Sequence, residues 1–178
     1  LPLGTLRALD AGTWKAARFS GERIPTLVET LDATEGRVEL NLELKSRTGE
    51  ALLALSALAD VEARGALGRV LFSSFDMRVL ARVREASATA RIGVLWEKPP
   101  FDRAFAFAAD LSAEAFHPWE GAVDRGVVAA AHERGLAVNT WTVNPVERML
   151  ELLESGVDGL ISDHPGRLLE ARARLLSA

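Results

Sequence analysis

The sequence predicts an α/β protein with parallel strands, arranged as an open sheet or a closed barrel. Two observations carry this. Short apolar runs alternate with helical patterns along most of the 178 residues, as a succession of βα units requires. The segment 38–45 alternates with period two, placing Glu39, Asn41, Glu43 and Lys45 on one face and Val38, Leu40, Leu42 and Leu44 on the other. Alone, that pattern would suit an antiparallel strand with one wet face; among βα units it suits a strand with a polar interior side. A nucleotide-binding open sheet would carry a glycine-rich turn after its first strand. Here the chain runs into Ser46-Arg47-Thr48-Gly49, and no G-x-G-x-x-G occurs.

The elements follow in order. After an irregular opening, strands are expected at 38–45, 70–75, 92–96, 115–117, 136–143 and 159–162. Helical patterns fill 50–64, 77–86, 103–109, 123–134 and 145–154, and a last amphipathic helix covers 167–176. Asn144 is expected to cap the helix that Pro145 opens, with Glu147 at its third position. Asp76 and Asp102 are further candidate caps, and Gly156 supplies a left-handed stop.

Composition narrows the class. With 48% hydrophobic and 26% charged residues, residues 1–178 are expected to form a single domain with its own core. A net charge of −4 gives no reason for a nucleic-acid partner. The absence of cysteine rules out disulfides, thiolate metal sites and cysteine nucleophiles. The apolar run 51–59, interrupted by Ser56, is too short for a transmembrane segment, and no signal peptide is visible. A cytoplasmic location is favoured. Because Leu1 is not methionine, the native N-terminus is expected to lie upstream, which leaves export open. The oligomeric state is left open.

Glu43 and Lys45 lie at the C-terminal end of their strand, where parallel barrels place their chemistry. Two residues apart on one face, they stand roughly 6–7 Å from each other along the strand. That spacing suits a carboxylate holding a cation beside an ammonium reaching a phosphate. Trp141 shares a face with Ala137, Asn139 and Val143, and would form a pocket wall if it points inward, or pack under a helix if it does not.

Five segments then occur in a telling order: Ile24-Pro25-Thr26-Leu27 before a helix, Asn41-Leu42-Glu43-Leu44-Lys45, Ser73-Ser74-Phe75, Trp141-Thr142-Val143-Asn144, and the run from Gly156-Val157-Asp158-Gly159 through Ile161-Ser162-Asp163-His164-Pro165. Together they resemble the glycerophosphodiester phosphodiesterase family. The resemblance implies a (β/α)8 TIM-type barrel with about six of its eight strands in this chain. It implies a phosphoric diester hydrolase that uses a divalent cation, Ca2+ or Mg2+, to cleave a small-molecule glycerophosphodiester to glycerol 3-phosphate and an alcohol. By the same resemblance Glu43 is a metal ligand, Lys45 the phosphate contact, Trp141 a wall on the glycerol side, and His117 a residue of the barrel mouth. The family's His-Arg-Gly, Glu-Asn-Thr and Glu-x-Asp motifs are absent, so the chain reads as an incomplete barrel, inactive alone. A non-catalytic member binding a phosphoryl ligand or a partner is the alternative. Of the remaining histidines, His132 is expected on an outer helix and His164 in a turn.

Overall fold

The computed structural model describes residues 1–45 and 51–177. Six parallel strands lie in one sheet in sequence order: β1 (Leu40–Glu43), β2 (Val70–Ser74), β3 (Arg91–Trp96), β4 (Ala115–Pro118), β5 (Ala137–Thr140) and β6 (Gly159–Leu160). Helices α3 (Ala51–Glu62), α4 (Met77–Ala86), α5 (Asp102–Asp110), α6 (Arg125–His132) and α7 (Val146–Glu154) connect them, and α8 (Pro165–Leu176) follows β6. Strands neighbouring in sequence and in space, each pair joined by a helix, make a half-barrel of the (β/α)8 kind.

The helices explain where the core sits. Phe72, Ile92, Val94, Phe116 and Val138 are fully buried on the outer face of the sheet. They belong to one cluster with Val79, Leu80 and Val83 of α4, Ala104 and Ala108 of α5, Val128 and Ala131 of α6, and Met149 and Leu152 of α7. Burial of each larger side chain contributes about 1.5–3 kcal/mol, so this outer layer dominates the stability. The intervening residues face inward, and there the chain places Asn41, Glu43, His117 and Asn139.

The opening carries α1 (Leu3–Arg7), which the sequence did not suggest, and α2 (Leu27–Thr34), the helix expected after Ile24–Leu27, ahead of β1. Thr26 and Glu29 form a capping box on α2: the Glu29 amide donates to Thr26 Oγ1 at 3.2 Å and the Thr26 amide to Glu29 Oε2 at 2.8 Å. Asp76 caps α4, its Oδ1 accepting from the Arg78 amide at 3.0 Å, and Gly156 stops α7 at φ +92°. Two expected caps are not formed. Asp102 is the first residue of α5 rather than its cap, and Phe101 precedes it. Asn144 stands outside α7, whose N-cap is Pro145. Its amide instead donates to Asp163 at 2.9 Å and accepts from the Ser162 hydroxyl and the Asp163 amide at 3.1 Å each, tying the β5 and β6 ends together. The expected helix start at Glu50 lies outside the described residues.

No helix among the described residues is long and apolar enough to cross a membrane. Among those residues β1 pairs only with β2 and β6 only with β5, so the sheet has two open edges. Open parallel edges template pairing with other chains. A polypeptide of residues 1–178 alone is therefore expected to self-associate, read as species heavier than the monomer in sedimentation velocity. A monomer with sharp cooperative unfolding would show that six strands suffice.

Candidate active site

Glu43 ends β1, in register with Ser73 of β2. Lys45 follows two residues on, and both side chains reach the C-terminal rim of the sheet. They line a cavity of about 320 Å³ with Asn41, Phe75, Leu95, Trp141, Thr142 and Ile161. Residues from β1, β3 and the segments following β2, β5 and β6 thus meet at the barrel end where βα loops carry chemistry.

The charges there are opposite and loosely joined. Lys45 Nζ lies 3.5 Å from Glu43 Oε2, and the lysine side chain is 80% exposed. Pairs this exposed contribute about 0–1 kcal/mol, so the ammonium can leave the carboxylate for a phosphate at small cost. Trp141 is held more firmly. Its indole N–H donates to the His117 carbonyl at 2.9 Å, and its ring meets Phe75 edge-on with centroids 5.4 Å apart. The indole presents a fixed wall beside the two charges. Thr142, not Val143, lines the cavity next to it: regular strand geometry ends at Thr140, and Val143 turns into the core.

His117 sits deeper than the mouth position the sequence suggested. It is 1% exposed, on β4 opposite Leu95, and lines a second cavity of about 250 Å³ with Glu39, Asn41, Arg91 and Asn139. Asn41 and Ile161 border both cavities. The Asn139 amide lies 3.1 Å from His117 Nε2, and burial pulls the imidazole down to about 4, leaving it neutral at pH 7. The ring folds down because β3 offers Gly93 there: a Cβ at that position would come 2.8 Å from His117 Nε2 and 2.8 Å from Leu71. Glu39 is drawn away from the rim altogether, pairing with Arg91 at 2.9 Å, which also holds Glu114 at 2.9 Å.

The other histidines stand apart. His132 ends α6, with Nε2 2.8 Å from Asp158, and His164 is exposed ahead of α8. No histidine therefore lines the upper cavity. Among the described residues no three His, Asp or Glu side chains converge, and Glu43 is the one carboxylate on that cavity. These residues do not complete a cation site; Glu43 fits as a single hard oxygen donor. Sequence reasoning left Phe75, Asn139 and Gly93 without roles. A glycine inside an apolar strand was the available signal, since it marks close approach of another group.

The profile described as the glycerophosphoryl diester phosphodiesterase family matches residues 1–167. A glycerophosphodiester phosphodiesterase of Caldanaerobacter subterraneus subsp. tengcongensis is 29% identical over 171 residues, covering 94% of this chain and 69% of its own. Among solved structures, a candidate glycerophosphoryl diester phosphodiesterase of Silicibacter pomeroyi superposes with a TM-score of 0.87 at 30% identity, over 98% of this chain and 68% of that one. An Oleispira antarctica phosphodiesterase, solved in complex with the product sn-glycerol-3-phosphate, gives 0.83 at 27% identity, over 97% and 70%.

The inner layer generates a stability prediction. Gly93→Ala should destabilise the fold by about 1–3 kcal/mol, because the added methyl must displace the His117 ring or Leu71. Denaturant unfolding of the natural polypeptide that carries these residues measures this. An unchanged midpoint would mean the ring has room to spare.

Proposed function

The chain belongs to the glycerophosphoryl diester phosphodiesterase family, a family of phosphoric diester hydrolases, and from that premise we propose a division of labour among its residues. The protein carrying this chain hydrolyses glycerophosphodiesters to glycerol 3-phosphate and an alcohol. The single observation that supports the reading best is the convergence of Glu43, Lys45 and Trp141, distant in sequence, on one cavity at the catalytic end of the half-barrel. The product bound to the Oleispira protein is of the expected class.

Lys45 meets the phosphoryl oxygens and offsets charge that grows as the ester bond breaks. Its weak hold on Glu43 leaves it free to do so. Trp141 packs against the glycerol carbons, an apolar surface with no proton to give. Glu43 would contribute one carboxylate to a divalent cation, Ca2+ or Mg2+, and that cation would supply neutralisation of phosphate charge. His117, from the layer below, supports the substrate pocket rather than touching the phosphate. The cavity holds no histidine to move a proton, so the described residues supply charge and shape. The second reading is a member that binds a phosphoryl ligand or a partner without turnover.

Release of glycerol 3-phosphate from glycerophosphodiesters by the natural polypeptide separates the two readings; binding without release supports the second. Lys45→Met should lower kcat by roughly 10²–10³-fold, whereas Trp141→Ala should chiefly raise KM, because it removes binding common to ground and transition states. Steady-state kinetics showing the reverse pattern would exchange the two roles. Glu43→Gln keeps the shape but loses the anionic donor, so titration calorimetry should show weaker Ca2+ or Mg2+ binding. Unchanged affinity would remove Glu43 from the cation site.

A further inference from the structure

Trp141 hangs from one short segment, residues 117–120, by three hydrogen bonds. Its indole N–H donates to the His117 carbonyl at 2.9 Å and its amide to the Pro118 carbonyl at 3.4 Å, while its own carbonyl accepts from the Glu120 amide at 2.9 Å. His117 and Pro118 belong to β4 and are fixed by the sheet. Glu120 is not. It opens a single 3₁₀ turn, Glu120–Ala122, in which no residue is buried. A turn that buries nothing gains little from the apolar core and depends on polar contacts to keep its place.

Those contacts come from α7. Arg148 Nε donates to Glu120 Oε2 at 2.9 Å, and Nη2 donates to the Glu120 carbonyl and, at 3.1 Å, to the Val123 carbonyl. The guanidinium therefore grips both ends of the turn. Glu120 is the junction: its amide holds Trp141, and its carbonyl and carboxylate are held by Arg148. The side chains of this ion pair are 27% and 25% exposed, so salt screens it less than it screens Lys45 on Glu43. The helix that carries the arginine is anchored separately, through the fully buried Met149 and Leu152. What Arg148 adds is the hold on the turn.

We propose that Arg148 is a positioning residue for the Trp141 wall, acting through Glu120. The proposal rests on the reading of Trp141 as a wall of the substrate cavity. Arginine suits the task because its planar fork reaches three acceptors at once, which the compact ammonium of a lysine does not.

NMR of the indole N–H groups and steady-state kinetics of the natural polypeptide test it together. Arg148→Met should shift and broaden the Trp141 indole resonance and leave that of Trp14, on the N-terminal segment, in place. It should raise KM for a glycerophosphodiester by roughly 3–10-fold with kcat within about twofold, as expected when binding common to ground and transition states weakens. Placed on Trp141→Ala, the same substitution should add less than about twofold to KM, because the two residues act as one unit. An unmoved Trp141 resonance, or the full rise in KM persisting beside Trp141→Ala, would overturn the proposal. If Trp141→Ala itself leaves KM unchanged, the wall reading fails, and the Trp141 resonance alone decides whether Arg148 positions the ring. Should Arg148→Met fail to fold, Glu120→Gln, which weakens the same contact and keeps the backbone bonds, is read in the same way.

Discussion

A side chain at position 93 and the imidazole of His117 would claim the same space, and that constraint organises the inner layer. With only hydrogen on the β3 backbone, the ring folds across the sheet and meets Asn139. Asn139 in turn needs the space left by Gly159, where a Cβ would come 2.3 Å from its Oδ1. Gly93, His117, Asn139 and Gly159 thus interlock across four strands, each able to stand where it does because its neighbour is small or polar. The carbonyl of His117 carries the Trp141 indole above this layer, so the wall of the upper cavity inherits its position from the packing below.

The upper cavity combines a fixed part with a loose one. Trp141 is held by a hydrogen bond and an edge-on aromatic contact, both short-range and directional. Among the described residues Lys45 is held by a long, solvated ion pair worth no more than about 1 kcal/mol. A rigid apolar wall suits recognition of an uncharged carbon skeleton. An exposed, weakly paired ammonium suits a phosphate whose charge shifts during reaction, because little of the ion pair with Glu43 must be given up to follow it.

Much of this was legible in the residues, for physical reasons that also set the limit. The period-two alternation of β1 told which side chains share a face, since a strand has no other choice. Position along the strand told height as well, putting Glu43 nearer the rim than Glu39; what it could not tell was that Glu39 pairs with Arg91 of β3. His117 was assigned to the right strand end but too near the mouth, because its depth depends on a glycine in a different strand. Asn144 beside Pro145 has the local look of a helix cap, and local reasoning cannot weigh it against partners 18 and 19 residues away. There the tertiary hydrogen bonds to Ser162 and Asp163 won. The capping box at Thr26 and Glu29 was not read from the sequence, although both partners lie within one helical turn.

The placement of the core explains how such a polar interior is tolerated. Phe72, Ile92, Val94, Phe116 and Val138 bury their bulk between the sheet and its helices, so the outer face supplies the apolar driving force. The inner face is relieved of that duty and can hold Asn41, Glu43, His117 and Asn139, which would be costly in a core that had to exclude water. The cost it still carries is concentrated in the few fully buried polar atoms, Ser73 Oγ and His117 Nδ1 foremost. Those atoms lie one layer under the residues assigned to substrate. The fold thus places its least self-sufficient polar groups next to its proposed chemistry.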